Sequence, residues 1–188
     1  MLKEILVEVS ARHCHLSQQN LEKLFGKGHE LTKIKQLTQP SDFAAKEMVQ
    51  IYTKEGIMNL RVVGPVRKET QVELSLTDEL KLGIRPVVRQ SGDLKRTPGA
   101  LLIGPKGRLK IKRGVIVALR HLHCSVKEAK ENNLRDGQNV CVKIKGDRAL
   151  IFDNVKVRVR SDYALCLHID TDEGNAAGID KKATGYLI

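Results

Sequence analysis

Tryptophan is absent from this chain, and its 188 residues include only three phenylalanines and three tyrosines. Proteins that hold single-stranded nucleic acid usually stack the bases on aromatic side chains, and little material for such platforms is present. Cysteine is sparse as well. Cys14, Cys124, Cys141 and Cys166 form no CxxC pair, which argues against a thiolate zinc finger and fits reduced thiols in a cytoplasmic setting. No run approaches the roughly 18 apolar residues of a membrane span. The stretch from Met1 to Val9 alternates charged and aliphatic residues like a strand, without the apolar block and cleavage site of a signal peptide.

What is present is the mixture of a soluble globular protein, 41% hydrophobic and 29% charged, enough for one sizeable core or two small domains. The formal net charge of +11 calls for a polyanionic partner. Nucleic acid, a nucleotide-bearing cofactor with several phosphates, and free phosphate all satisfy that charge, and so does a basic face that simply meets water. The densest basic stretch is Lys106 to Arg113. Strand-like alternation there puts Lys106, Arg108 and Lys110 on one face, where they could bind anions or simply face water.

Period-2 alternation dominates the chain. It predicts strands at 4–10, 48–53, 57–63, 71–76, 100–103, 108–111, 114–119, 138–145, 149–151, 155–160 and 164–169, with Gly146-Asp147 as a two-residue hairpin. Ser17 predicts a cap for a helix over Gln18 to Phe25, ended by Gly26. Ser125-x-x-Glu128 is a capping box opening a helix to about Asn133. Short helices are also expected after Thr77-Asp78-Glu79 and Thr171-Asp172-Glu173. The fold class is therefore mainly β with short helices, and barrels rather than a doubly wound sheet.

The order "strand, Arg-His-x-His, capped helix, strands, Thr-Asp-Glu, helix, Gly-Ile" occurs twice. Arg12-His13-Cys14-His15 opens it in one half and Arg120-His121-Leu122-His123 in the other. This predicts two related β-barrel domains capped by short helices, over 1–95 and 96–188, with strands possibly exchanged between them. On a strand, residues two apart face the same side, so each His-x-His pair directs two imidazoles at one ion, and zinc suits that ligand set. Helix capping or packing at a barrel mouth accounts for one such pair but poorly for its repetition. His168 and Glu73 hold comparable places before the two Thr-Asp-Glu stretches and are the best further donors. Alone, one reads as a core histidine and the other as an outward strand residue. Cys14 and Cys124 point to the opposite strand face and read as packing. His29 reads as surface.

These residues, with Gln39-Pro40-Ser41-Asp42-Phe43, Gly64-Pro65-Val66-Arg67, Ser91-Gly92-Asp93-Leu94, Gly104-Pro105-Lys106-Gly107, Leu150-Ile151-Phe152-Asp153-Asn154 and His168-Ile169-Asp170-Thr171-Asp172-Glu173, resemble the phosphate propanoyltransferase family over nearly the whole chain. The resemblance implies a phosphotransacylase, reversibly converting acyl-CoA (propanoyl-CoA or acetyl-CoA) and phosphate to acyl phosphate and coenzyme A. It implies two helix-capped barrels with a two-zinc site between them, and a homodimer or higher homo-oligomer. One zinc would fall on His13, His15 and Glu73, the other on His121, His123 and His168, and phosphate on Arg67. Arg12 and Arg120 would contact anions or brace the sites. Family members destined for microcompartments resemble each other in an amino-terminal targeting extension. Here the first His-x-His begins at residue 13, so a free cytoplasmic enzyme is expected, without nucleic-acid or membrane partners. Two other readings stand beside this one: a two-zinc thioester hydrolase, and a basic nucleic-acid-binding barrel with structural zinc.

Overall fold

The computed structural model describes residues 3–85 and 87–188. Met1 and Leu2, which open the alternating amino-terminal stretch, and Pro86 lie outside the described residues. Alternating branched aliphatics form β1 (Lys3–Val9), and the first His-x-His is itself a strand, β2 (His13–His15). There follow α1 (Gln18–Phe25), β3 (Lys33–Gln36), β4 (Phe43–Tyr52), β5 (Ile57–Gly64), β6 (Gln71–Leu74), α2 (Leu76–Lys81) and β7 (Val88–Arg89). Next come β8 (Ala100–Ile103), β9 (Arg108–Ile111) and β10 (Val115–Ala118). The second His-x-His begins β11 (His121–Cys124), followed by α3 (Val126–Glu131), β12 (Asn139–Ile144), β13 (Leu150–Val159), β14 (Cys166–Ile169), α4 (Thr171–Ala177) and β15 (Lys182–Leu187). No helix among the described residues is long and apolar enough to cross a membrane.

The helix starts follow the predicted chemistry. The Ser17 hydroxyl accepts from the Asn20 amide, and Ser125 with Glu128 closes the capping box. Other expectations change: α2 and α4 contain the Thr-Asp-Glu stretches instead of following them. The segments 149–151 and 155–160 are one strand, β13, because its pairing with β12 slips between Val140 and Val142. Asp153 and Asn154 are absorbed there as a bulge, with Asn154 at φ 54°. The Gly146-Asp147 hairpin is not a two-residue turn. Ile144 pairs with Leu150, and the turn inside is closed by the Ala149 amide on the Gly146 carbonyl at 3.1 Å.

Two compact units result: one of 3–11, Thr38–Pro40 and Leu119–Ile188, the other of Arg12–Leu37 and Ser41–Ala118. These differ from the successive halves 1–95 and 96–188, and the cause is strand pairing. Strand β1 precedes the first motif yet pairs with β14 and β15, while β10 precedes the second motif yet pairs with β6. The carboxy-terminal unit is a closed barrel in the order β1-β14-β11-β13-β12-β15, filled by Val7, Leu122, Val142, Val155, Val157 and Leu167. The other is an open sheet, β7-β10-β6-β2-β5-β4-β8-β9 with β3 on β4, around Leu21, Ile51, Leu60, Val62, Leu102 and Val115. Where the closed barrel has its β1–β15 ladder, this sheet has a bond from the Val115 amide to the Pro98 carbonyl.

The duplication is sharper in the backbone than in the sequence. The Ser75 side chain accepts from the Asp78 amide, and the Asp170 side chain from the Glu173 amide. The Ile84 amide returns to the Glu79 carbonyl, and the Ile179 amide to the Gly174 carbonyl. Asp78 therefore matches Glu173, and the two Thr-Asp-Glu stretches are out of step by one residue. Glu79 consequently stands where the other unit has Gly174. Its side chain is fully buried, and neither carboxylate oxygen has a well-formed hydrogen bond.

Burial pushes the Glu79 carboxyl up to about 7, against the opposing pull of the Val87 amide. An unfolded glutamate titrates near ~4.3, so the folded chain holds this proton more tightly. The resulting stability is fully present below the unfolded value and is lost as pH rises through the folded one. Glu79→Gln should lack this loss and gain on the order of 2 kcal/mol on the parent between about pH 5 and pH 8. Urea unfolding at both pH values checks it. Parallel pH dependence in the two proteins would show that Glu79 ionises without penalty.

Candidate metal-binding site

In the unit of Arg12–Leu37 and Ser41–Ala118, β2 lies between β5 and β6, with His13 opposite Glu73 and His15 opposite Gln71. The pleat turns both imidazoles to one side, their ring centroids 5.0 Å apart, and sends Cys14 into the core. His13 Nε2 lies 3.7 Å from Glu73 Oε2, and His15 Nε2 3.7 Å from Glu73 Oε1. Donor atoms of the three residues all lie within 4.8 Å of one another. His15 Nδ1 is 3.0 Å from the Val63 carbonyl oxygen, which can only accept, so Nδ1 carries the proton and Nε2 keeps its lone pair. Burial, followed by the nearby Arg67 and His13, holds the His15 pKa well below the ordinary value. The imidazole is thus neutral, as a ligand must be.

Arg67 belongs to the same network. Its amide donates to the Leu16 carbonyl, and its guanidinium donates to Ser91 Oγ at 3.1 Å. Ser91 in turn donates to Glu73 Oε1 at 3.0 Å. The Gln71 carboxamide donates to both Ser91 and Glu73, and is itself held by the Gly92 amide at 2.8 Å. Ser91 and Gln71 were not among the candidates read from the sequence. The signal was their place inside Ser91-Gly92-Asp93-Leu94 and Gln71-Val72-Glu73, stretches that carry no metal-ligand spacing.

The closed barrel builds the second cluster on the same plan. β11 lies between β13 and β14, with His121 opposite His168 and His123 opposite Cys166. Ring centroids are 4.5 Å apart for His121 and His123, 5.4 Å for His121 and His168, and 5.0 Å for His123 and His168. His121 Nδ1 lies 2.8 Å from the Leu119 carbonyl, which fixes the tautomer with Nε2 free of its proton. His123 is buried against the Tyr163 ring, and neither of its nitrogens has a hydrogen-bond partner. Burial, followed by His121 and His168, depresses its pKa strongly. An unsatisfied buried polar group costs about 1–3 kcal/mol, which a bound cation would relieve, so the donor set fits a metal.

His168 is placed by two side chains that the sequence reading had not used. Gln39 Nε2 donates to the Ala164 carbonyl and its Oε1 accepts from the Ala164 amide, which fixes the carboxamide. Its Nε2 then lies 3.2 Å from His168 Nε2, so that nitrogen accepts and Nδ1 bears the proton, 3.8 Å from Glu8 Oε2. Among the described residues, the compact donor group that includes His168 is Glu8, Cys166 and His168.

The motif arginines are braces. Arg12 Nε lies 2.9 Å from Asp78 Oδ2, and Arg120 Nε 2.7 Å from Glu173 Oε1, the matched acids of α2 and α4. Cys14 and Cys124 are buried thiols, and burial raises both pKa values, that of Cys124 to about 11, so neither is an activated nucleophile. His29 is not a free surface side chain: it is half-buried, stacked on Phe25, with Nε2 3.0 Å from Glu47 Oε1. Arg108 and Lys110 share the exposed face of β9, and Lys106 lies in the β8–β9 turn, its amide bonded to the Leu24 carbonyl. Three strands separate β9 from β2 in the sheet order, on the order of 20 Å across a sheet. A groove of about 610 Å³ beside that turn is lined by Phe25, His29, Met48, Asn59 and Pro105 among others.

The sequence profile of the phosphate propanoyltransferase family matches residues 6–180. The chain is 53% identical to a phosphate propanoyltransferase of Thermotoga maritima over 186 residues, covering 98% of this chain and 89% of that protein. It is 48% identical to one of Leptotrichia buccalis, covering 97% of this chain and 87% of that protein. A third, from Listeria monocytogenes, is 45% identical over 97% of this chain and 86% of its own length.

If Arg12 is a brace, Arg12→Ala strands the buried Asp78 carboxylate and should cost about 1–3 kcal/mol of stability while leaving the metal content of the chain unchanged. Calorimetry beside elemental analysis checks both. Lost metal at unchanged stability would make Arg12 part of the site instead.

Proposed function

Since the chain belongs to the phosphate propanoyltransferase family, a family of acyltransferases, we propose that it exchanges phosphate and coenzyme A on propanoyl and acetyl groups at a site containing two zinc ions. His13, His15 and Glu73 hold one ion, and His121, His123 and His168 the other. The observation that carries this reading is the pair of matched donor clusters, each two imidazoles on one short strand facing a third donor on the next. A homodimer or higher homo-oligomer in the cytoplasm, without nucleic-acid or membrane partners, completes the proposal.

In this reaction an oxygen of phosphate attacks the thioester carbonyl, the carbon–sulfur bond breaks, and coenzyme A leaves as a thiolate. Negative charge builds first on the carbonyl oxygen and then on sulfur. Zinc bound at these residues supplies Lewis acidity toward such a carbonyl and a soft partner for the thiolate. Arg67 grips the phosphate, because its planar fork matches two phosphate oxygens. Ser91 fixes the guanidinium from behind, so the dianion is held in one orientation, and proximity then lowers the barrier. Val63 and Leu119 hold His15 and His121 in the tautomer that presents Nε2. Lys106, Arg108 and Lys110 hold the coenzyme A phosphates at the rim of the groove beside Pro105.

Exhaustive chelation should abolish release of coenzyme A from propanoyl-CoA and phosphate, and zinc should restore it. His121→Ala should lose at least about 100-fold in kcat with its circular dichroism unchanged. Normal turnover by metal-free protein ends the proposal. Hydrolysis of the thioester without phosphate would identify a hydrolase in its place. Replacing Lys106, Arg108 and Lys110 together by glutamate should raise the KM for coenzyme A about tenfold or more, with the KM for phosphate unchanged. Equal KM values for coenzyme A in variant and parent would remove those three cations from the site.

A further inference from the structure

Three cysteines are fully buried, but they are not buried in the same way. Cys14 and Cys124 lie within the two hydrophobic cores, whereas Cys166 is not part of the core that fills the closed barrel. Strand register explains why. Cys166 stands directly opposite His123, His168 opposite His121, and Glu8 of β1 beside His168. Residues opposite one another, and residues two apart on a strand, share a face. The face that carries the three histidines therefore also carries Cys166 and Glu8.

Donor atoms set the thiol and Glu8 beside His168. Those of Glu8, Cys166 and His168 all lie within 4.8 Å of one another. Glu8 Oε1 is engaged by the Thr38 hydroxyl at 2.9 Å and by Lys182 Nζ at 3.2 Å, leaving Oε2 facing His168 Nδ1 at 3.8 Å. The Cys166 thiol makes a 3.6 Å contact with the Leu167 carbonyl, a weak bond for so buried a polar group. Independently, His123, its register partner, is 7% exposed with both ring nitrogens unpartnered. A soft thiol and an unsatisfied imidazole thus stand side by side on one buried face.

We infer that Cys166 is a metal ligand of this chain, giving a thiolate to the ion held with His168 and its neighbouring histidines. The inference rests on the two-metal reading above and deepens it. In the other cluster the matching position is Gln71, which serves Glu73 as a hydrogen-bond donor, so the two centres differ in kind. One has nitrogen and oxygen donors, the other nitrogen and sulfur. The thiol loses its proton as the metal–sulfur bond forms, and that proton passes to solvent. A thiolate also feeds more charge to the ion, so this centre favours soft metals and polarises a carbonyl less strongly than its counterpart.

Cobalt(II) replaces zinc with retention of such ligands and reports sulfur directly, through thiolate-to-metal charge transfer in the near ultraviolet. The full chain, stripped of metal and titrated with cobalt, should develop that band with the filling of one of its two sites. Cys166→Ser should lose the band and release one proton fewer per chain on loading, while Cys141→Ser keeps both. The parent spectrum decides the matter even where a variant does not fold. Bound cobalt with visible histidine-type absorption but no charge-transfer band overturns the assignment of Cys166 and leaves the two-metal reading standing. No bound cobalt at all overturns both.

Discussion

Everything at the two clusters depends on one constraint, the pleat of a very short strand held between two neighbours. A three-residue strand such as β2 has no freedom to turn its first and third side chains apart once β5 and β6 flank it. The same pleat drives Cys14 into the core, so the packing that stabilises the unit also aims the imidazoles. Antiparallel pairing then adds the third donor without any loop: whatever lies opposite the first histidine shares its face. In one unit that residue is Glu73 and in the other His168.

The remaining contacts around the clusters serve to keep this arrangement from relaxing. Backbone carbonyls at Val63 and Leu119 choose the tautomers of His15 and His121, and the Gln39 carboxamide chooses that of His168. Arg12 and Arg120, immediately before the histidines, tie each motif to the helix that follows the third donor. Each cluster is thereby clamped at both ends of the chain segments that build it. Arg67 is bound through Ser91 to a carboxylate that itself faces two histidines, which links the guanidinium to both imidazoles.

Much of this was legible in the sequence, for identifiable reasons. The His-x-His pairs, the Ser17 and Ser125 caps and the long alternating strands are local patterns, and local patterns survive in one dimension. Glu73 and His168 were found only through the duplication, because nothing adjacent to either marks it. Ser91, Gln71, Gln39 and Glu8 carry no spacing signal; their roles come from strands and turns distant in the chain. The shift of one residue between the two Thr-Asp-Glu stretches was hidden by identical letters, and only the caps at Ser75 and Asp170 reveal the true match. The division at 95 and 96 follows the order of the repeats, whereas the units follow strand pairing, which alternation along a single strand does not encode.

The reciprocal placement of β1 and β10 carries a consequence for biosynthesis. Strand β10 and its partner β6 are close in the chain, so the unit that ends at Ala118 has all its strands as soon as that residue is made. The closed barrel needs its first strand, β1, to pair with β14 and β15, at the opposite end of the chain. Among the described residues those pairings have the greatest sequence separation, and such contacts form slowly because the intervening loop must be closed first. During synthesis β1 waits, unpaired, until β14 and β15 emerge. The exposed charges at its start, Lys3 and Glu4, keep that waiting edge from pairing with other chains.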